Sequence, residues 1–326
     1  MKPTPSFASI LGDHIQRFLA YKRALGCKFD TEENALELLD RYLIQKQIKT
    51  VDEITPEVLD QFLASRPRQQ PRSYNHLLGT LHRFFNWLIV QGVVRRSPVQ
   101  TRAKRVTVSR RPFIFDGAAA KKLLAVAGSL QDNSRASLRG PTYRTIFALL
   151  YGLGLRVSEV SRLSLADLDF ERRLLVIRET KFYKSRLVPF GPRIEQLLKD
   201  FIRTRHPAAN ADHALFSFTG GRVITPERIS QVFHALLPKL DLRIPLGTSP
   251  PRLHDLRHSF AVGTLLRWYR SDLDPQAGLL RLATFLGHVD PNSTATYLTI
   301  TEALLEEANQ RFELFAQTVI KEEAAS

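Results

Sequence analysis

The sequence predicts a mainly α protein with a small β-hairpin, an α+β arrangement in which an N-terminal helical bundle precedes a larger mixed domain. Three observations carry this. Apolar residues recur at helical spacing through the first hundred positions. A basic, proline-bounded stretch then breaks the periodicity near residue 110. Beyond it, two short runs rich in Val, Ile and Leu interrupt a series of further helical segments. A length of 326 residues suits two domains, each large enough to bury a core.

Residues 1–100 read as four helices. Ile10, Ile15, Phe18, Leu19 and Leu25 mark the first. Asp30-Thr31-Glu32-Glu33 offers an N-cap with an acidic first turn, and Leu36, Leu39 and Leu43 follow at helical spacing. Thr55-Pro56-Glu57 is a second start signal, with proline at the first helical position. Another helix begins near Ser73, its stripe made by Leu77, Leu81, Phe84, Phe85 and Leu88, with Gly92 as the stop. Residues 101–112 form a basic linker that would lie along phosphate or serve as a tether. Residues 113–326 are mixed: a buried helix over Tyr143–Leu150 ends at Gly152 and Gly154, and Arg173–Glu179 and Arg186–Phe190 pair as a hairpin turning over Lys181–Ser185. Helices then follow to the end, the last from about Thr301 with Leu304, Leu305, Ala308, Phe312, Phe315 and Val319 along one side.

Charge narrows the partner. The formal net charge is +15 and the pI about 10.2, which point to a polyanion. Between Gln61 and Phe115 there are eleven Lys or Arg and no Asp or Glu. The arginines accompany Phe84, Phe85 and Trp87 without a lipidation signal or a strongly apolar anchor, which favours double-stranded DNA over a membrane. Candidate phosphate contacts are Arg66, Arg68, Arg72, Arg83, Arg95, Arg96, Lys104, Arg105, Arg110 and Arg111. A single cysteine, Cys27, can form neither an intrachain disulfide nor a cysteine-based zinc site. No apolar run reaches the ~18 residues of a membrane span, and no signal-peptide core is evident, so a cytoplasmic protein is expected.

Several separated motifs carry chemistry. Arg156 follows Gly152 and Gly154 and opens Arg156-Val157-Ser158-Glu159, where a tight turn would present its planar fork to two phosphate oxygens. Lys181, with Lys184 as rival, lies in the hairpin turn and could hand a proton to a leaving oxygen. His254-Asp255-Leu256-Arg257-His258 puts two histidines on one helical face, a spacing also found in zinc proteases. The aspartate is one methylene too short for the usual general base there, Arg257 would set a cation beside the metal, and no third ligand is evident. His288 follows Leu286-Gly287, and Tyr297 stands nine residues on, after the polar stretch Asp290–Thr294, which would be mobile enough to deliver a phenol. Arginines, a lysine, histidines and a tyrosine, without a carboxylate cluster for magnesium, suit metal-independent attack on a phosphodiester.

In this order and spacing, Arg156, Lys181, His254-x-x-Arg257, Leu286-Gly287-His288 and Tyr297 closely resemble the tyrosine recombinase, or phage integrase, family across nearly the whole chain. The resemblance implies a helical core-binding domain (1–100), a linker (101–112) and a catalytic domain (113–326) forming a clamp on DNA. It implies that Tyr297 attacks to give a 3′-phosphotyrosine and a free 5′-hydroxyl, while Arg156 and Arg257 clamp the non-bridging oxygens. His254 would accept the phenolic proton, Lys181 would protonate the 5′-oxygen and His288 would donate a hydrogen bond to the phosphate. Glu159 and His258 would support the arginines. No cofactor is called for, because the phosphotyrosine conserves the bond energy. Two duplexes must be held at once, so a homotetramer on synapsed DNA is expected, with a monomer or dimer when free and related recombinases as further partners. The last helix would fold back in cis or dock onto a neighbour in trans.

Two departures from the family pattern stand out, the first at the proposed lysine and the second bearing on subfamily. The hairpin lysine is set in Thr180-Lys181-Phe182-Tyr183 rather than beside glycine. The interval from Arg257 to His288 is longer than in Xer-type members, and its insert, Arg267-Trp268-Tyr269-Arg270 through Pro275-Gln276, is similar to the recombinases of transposons and other mobile elements. Only about ten residues precede the first helix, which leaves no room for a separate arm-site-binding domain. The expected role is therefore integration or excision of a mobile element, with a Xer-like resolvase, a monomeric type IB topoisomerase and a catalytically silent repressor as alternatives.

Overall fold

The computed structural model describes residues 7–105, 111–178, 185–205, 213–219, 222–271, 275–288, 292–295, 297 and 306. The chain divides into two compact units, Met1–Ser109 and Arg110–Ser326.

The first unit is built from α1 (Gly12–Ala24), α2 (Asp30–Gln45), α3 (Pro56–Ala64) and α4 (Pro71–Val90). Their apolar stripes meet in one core, where Phe18 packs its ring at 5.3 Å from Phe84 and 5.6 Å from Trp87. Three sequence expectations shift. Ile10 and Leu25 are 40% and 55% exposed, because they lie outside the turns of α1 that face the core. Asp30 is the first helical residue rather than the cap, which is Phe29 in a left-handed conformation. The fourth helix starts at Pro71, ahead of Ser73, because proline suits a first turn whose N–H groups have no partner. The start of the basic linker is anchored: Asn75 donates to the Lys104 carbonyl and accepts from its N–H, each at 2.8 Å, and the Thr101 hydroxyl donates to Asp60.

In the second unit, α5 (Gly117–Gly128) and α6 (Arg139–Gly152) pack together, and α6 is buried on nearly every side. A short α7 (Val157–Ser161) leads to an antiparallel sheet ordered β1 (Leu168–Asp169), β2 (Leu174–Ile177), β3 (Arg186–Pro189). The expected hairpin is thus β2 and β3, and β1 adds a strand. After α8 (Pro192–Arg205) comes a second antiparallel pair that the sequence did not reveal, β4 (Ser217–Thr219) with β5 (Arg222–Val223), each too short for a period to register. The described part closes with α9 (Pro226–Leu236), α10 (Asp255–Arg270), α11 (Pro275–Leu286) and α12 (Asn292–Ala295). The expected last helix lies outside the described residues apart from Glu306. Among the described residues no helix is long and apolar enough to cross a membrane.

Candidate active site

The C-terminal end of α11 organises the site. A helix leaves its last carbonyls without intrahelical donors and concentrates partial negative charge there. Three successive carbonyls at this end each receive one arginine. Arg186 Nε donates to Phe285 O at 2.9 Å, Arg257 to Leu286 O at 2.7 Å and Arg156 to Gly287 O at 2.8 Å. Gly287 takes φ +68°, a left-handed conformation that ends the helix, and a Cβ there would lie 2.9 Å from the Arg186 guanidinium. Gly154, at φ +60°, performs the matching task on the other side: its carbonyl accepts from Arg257 at 2.6 Å, and a Cβ would strike the Phe260 ring at 2.5 Å.

Glu159, on α7, balances part of this charge. Its carboxylate accepts both Arg186 terminal nitrogens at 2.8 Å, Arg156 Nη1 at 2.7 Å and the Arg156 main-chain N–H at 2.9 Å. Burial would raise its pKa, but these hydrogen bonds and the Arg186 charge overcome that and hold it at about 2. Arg257 is 1% exposed and is held by main-chain carbonyls. Burial and the neighbouring Arg156 bring its pKa down to about 9, which still leaves it cationic at neutral pH. Two guanidiniums, those of Arg156 and Arg186, thus bond one carboxylate while Arg257 is held by carbonyls alone, and the surplus positive charge suits an anion.

Tyr297 lies against this cluster, 3% exposed. Its hydroxyl is 3.0 Å from His258 Nδ1, and its ring stacks on His288 at 6.2 Å. Burial raises the phenol's pKa, while Arg257 and Arg156 pull against that rise. Both histidines are held down to about 4: at His258 by burial, Arg252 and Arg257, and at His288 by burial, Arg257 and Arg156. Both are therefore neutral at pH 7. His288 Nδ1 is paired with Thr294 Oγ1 at 2.6 Å. His254 stands at the start of α10 with its ring edge-on to His258, 4.7 Å between centroids.

The fold thus brings together Arg156, Glu159, Arg257, His258, His288 and Tyr297, with His254 beside them. Lys181 and Lys184 lie outside the described residues. The stretch before Tyr297, expected to be mobile, contains a turn of helix in which Thr294 is fully buried beneath His288. Sequence reasoning missed Arg186, Asp255 and Thr294. For Arg186 a signal existed: it shares a strand face with Val188, which is buried, and an arginine at a core-facing position needs a partner. Among the described residues no group of three His, Cys, Asp or Glu could hold a metal ion.

Of the candidate phosphate contacts, Arg72, Arg83, Arg95, Arg96, Lys104, Arg105 and Arg111 are exposed, Arg66 and Arg68 are half-buried, and Arg110 lies outside the described residues. Arg83 is partly engaged, 3.5 Å from Glu32.

Residues 121–303 match the phage integrase family. A Sinorhizobium fredii protein bearing the name integrase/recombinase y4rB is 34% identical over 307 residues, spanning 92% of this chain and 96% of its own. The tyrosine recombinase XerC of Lacticaseibacillus casei is 29% identical over 241 residues, spanning 72% of this chain and 74% of its own. Among solved structures, the Tn1549 transposon integrase in complex with transposon right end DNA aligns at TM-score 0.64 and 20% identity, covering 93% of this chain and 99% of that one. At that identity the likeness concerns the fold.

Proposed function

The chain belongs to the phage integrase family and is a site-specific tyrosine recombinase, and from that premise we propose a metal- and ATP-independent transesterification centred on Tyr297. The observation that carries this is the placement of Tyr297 within reach of the Arg156 and Arg257 charges and against two neutral histidines. A phosphodiester resists attack because it is anionic. Arg156 and Arg257 would hold its non-bridging oxygens and stabilise the charge that grows in the pentacoordinate transition state. Tyr297 Oη attacks in line, the bond to the 5′-oxygen breaks, and a 3′-phosphotyrosine forms. A neighbouring histidine accepts the phenolic proton, Lys181 protonates the departing oxygen, and His288 donates to the phosphate. A 5′-hydroxyl from a partner strand then reverses the steps.

The substrate is double-stranded DNA. The first unit would grip the duplex through its exposed arginines, contacts that position rather than specify. Strand exchange needs two duplexes and hence a homotetramer on synapsed sites. Integration or excision of a mobile element is the role we favour, on the strength of the segment around Arg267–Gln276; the XerC likeness supports resolution as the second reading.

Covalent capture tests this. Wild type and Tyr297→Phe are incubated in EDTA with nicked duplexes made from the DNA flanking the gene, then run on a denaturing gel beside a mobility-shift lane. An SDS-resistant adduct with wild type alone supports the reading. Specific binding without an adduct overturns it in favour of a repressor.

A further inference from the structure

Tyr297 has to lose a proton as it attacks, and its surroundings limit where that proton can go. The side chain is 3% exposed, so the phenol has no open path to bulk water and its proton must pass to a protein group. Among the described residues, the nitrogen hydrogen-bonded to it is His258 Nδ1, 3.0 Å from the hydroxyl. His254, which the family resemblance nominates, meets His258 edge-on with its ring instead.

The tautomer follows from the other side of the ring. Nδ1 can accept a proton only if the neutral ring carries its hydrogen on Nε2. His258 Nε2 lies 4.0 Å from Asp255 Oδ1, an electrostatic rather than a hydrogen-bonding distance. Asp255 is fully buried and is fixed by the Arg252 main-chain N–H at 2.9 Å and the Arg252 guanidinium at 3.1 Å. A fixed carboxylate facing Nε2 favours the hydrogen there and would stabilise the imidazolium when it forms. Nucleophile, base and orienting acid thus stand in a row, with Asp255 and His258 on neighbouring turns of α10.

We propose that His258, oriented by Asp255, is the general base for Tyr297. This rests on the recombinase reading above and names the base within it. In the forward step Tyr297 Oη bonds to phosphorus, its proton moves to His258 Nδ1, and the bond to the 5′-oxygen breaks, that oxygen taking a proton from the general acid. In the reverse step the 5′-hydroxyl attacks phosphorus and gives its proton back to the general acid, the bond to Tyr297 Oη breaks, and His258 returns its proton to the tyrosine. His258 is neutral at pH 7, so it is ready to accept. Burial, Arg252 and Arg257 keep it so, and the arriving phosphodiester would offset Arg257.

The test uses the full-length protein and nicked duplexes with either an ordinary scissile phosphate or a 5′-bridging sulfur, whose thiolate leaves without protonation. For His258→Ala the expected result is an adduct rate lower by about 10²-fold or more on both substrates, with DNA binding retained and part of the rate restored by added imidazole. Imidazole rescue cannot come from a misfolded protein. His258→Gln, which keeps a polar side chain without a basic nitrogen, should be equally slow. Adduct formation by His258→Ala at the wild-type rate overturns the proposal, as does a defect that the sulfur substrate relieves, since that would place His258 on the leaving group. A His254→Ala enzyme showing the sulfur-independent, imidazole-rescued defect in its place would also overturn it. Failure of wild type to form any adduct would instead strike the recombinase reading itself.

Discussion

Arg186 and Glu159, on different elements of the second unit, are joined fork to fork by two hydrogen bonds of 2.8 Å. The Glu159 side chain is 1% exposed and that of Arg186 10%, so the pair is buried. Removing one partner of such a pair strands the other charge, which typically costs about 3–5 kcal/mol. Here Arg156 still contacts Glu159, which should limit the loss from Arg186→Ala to the lower end, about 3 kcal/mol. Arg186→Lys keeps the charge and loses the fork, and should fall between. Urea midpoints at constant slope measure both; an Arg186→Ala midpoint equal to wild type would mean that the pair contributes little.

The same residue shows why the site was only partly legible in the sequence. Arg156, Arg257, His288 and Tyr297 stand in local motifs whose residue types announce their chemistry. Arg186 stands in Arg-Leu-Val-Pro, which reads as a strand, and its meaning appears only when β3 lies against α7 and the end of α11. The His258–Tyr297 bond spans 39 residues and depends on how α10 and α11 pack. Helix starts such as Thr55-Pro56 were readable because the signal and its consequence are adjacent. Strands of two or three residues, such as β4 and β5, hold no period to read.

Stability of the second unit should fall as pH drops from about 6.5 to 4 and fall further toward 2. His258 and His288 have pKa values near 4 in the fold, against ~6.5 when unfolded. Between those values the unfolded chain binds more protons, so acid favours unfolding, and the contribution is fully present only above about 6.5. Glu159 acts in the same direction lower down: its depressed pKa of about 2 gives stability present above ~4.3 and lost as pH falls through 2. Urea midpoints from pH 7 to 3 should trace this slope, and His258→Gln should flatten its upper part. An unchanged slope in that variant would remove His258 from the explanation.

Gly287→Ala should damage activity more than its size suggests. A left-handed φ of +68° costs an L-residue about 1–2 kcal/mol, and the new methyl would sit 2.9 Å from the Arg186 guanidinium. Relief requires moving Arg186 or the carbonyl that holds Arg156, and both belong to the same anion receptor. The expected outcome is a modest loss of thermal stability with a much larger loss of covalent adduct. Adduct formation falling only in proportion to stability would argue that the α11 terminus does not set arginine geometry.

The exposed arginines of the first unit should differ in how they affect salt dependence. A cation that neutralises one phosphate contributes ~0.9 to the slope of log affinity against log salt. Arg95 and Arg96 are exposed, and replacing both with alanine should weaken binding across sequences and lower the slope by about 2. Arg83 lies 3.5 Å from Glu32, and its guanidinium also sits 5.9 Å from the Phe29 ring. To reach a phosphate it would have to leave both, so part of its charge is spoken for before DNA arrives. Arg83→Ala should therefore change the slope by well under one contact, and Glu32→Gln should raise affinity by freeing it. Fluorescence anisotropy on one duplex between 50 and 200 mM salt separates the cases. Equal slope changes for Arg83 and Arg95 would show that the Glu32 pair opens at no cost when DNA binds.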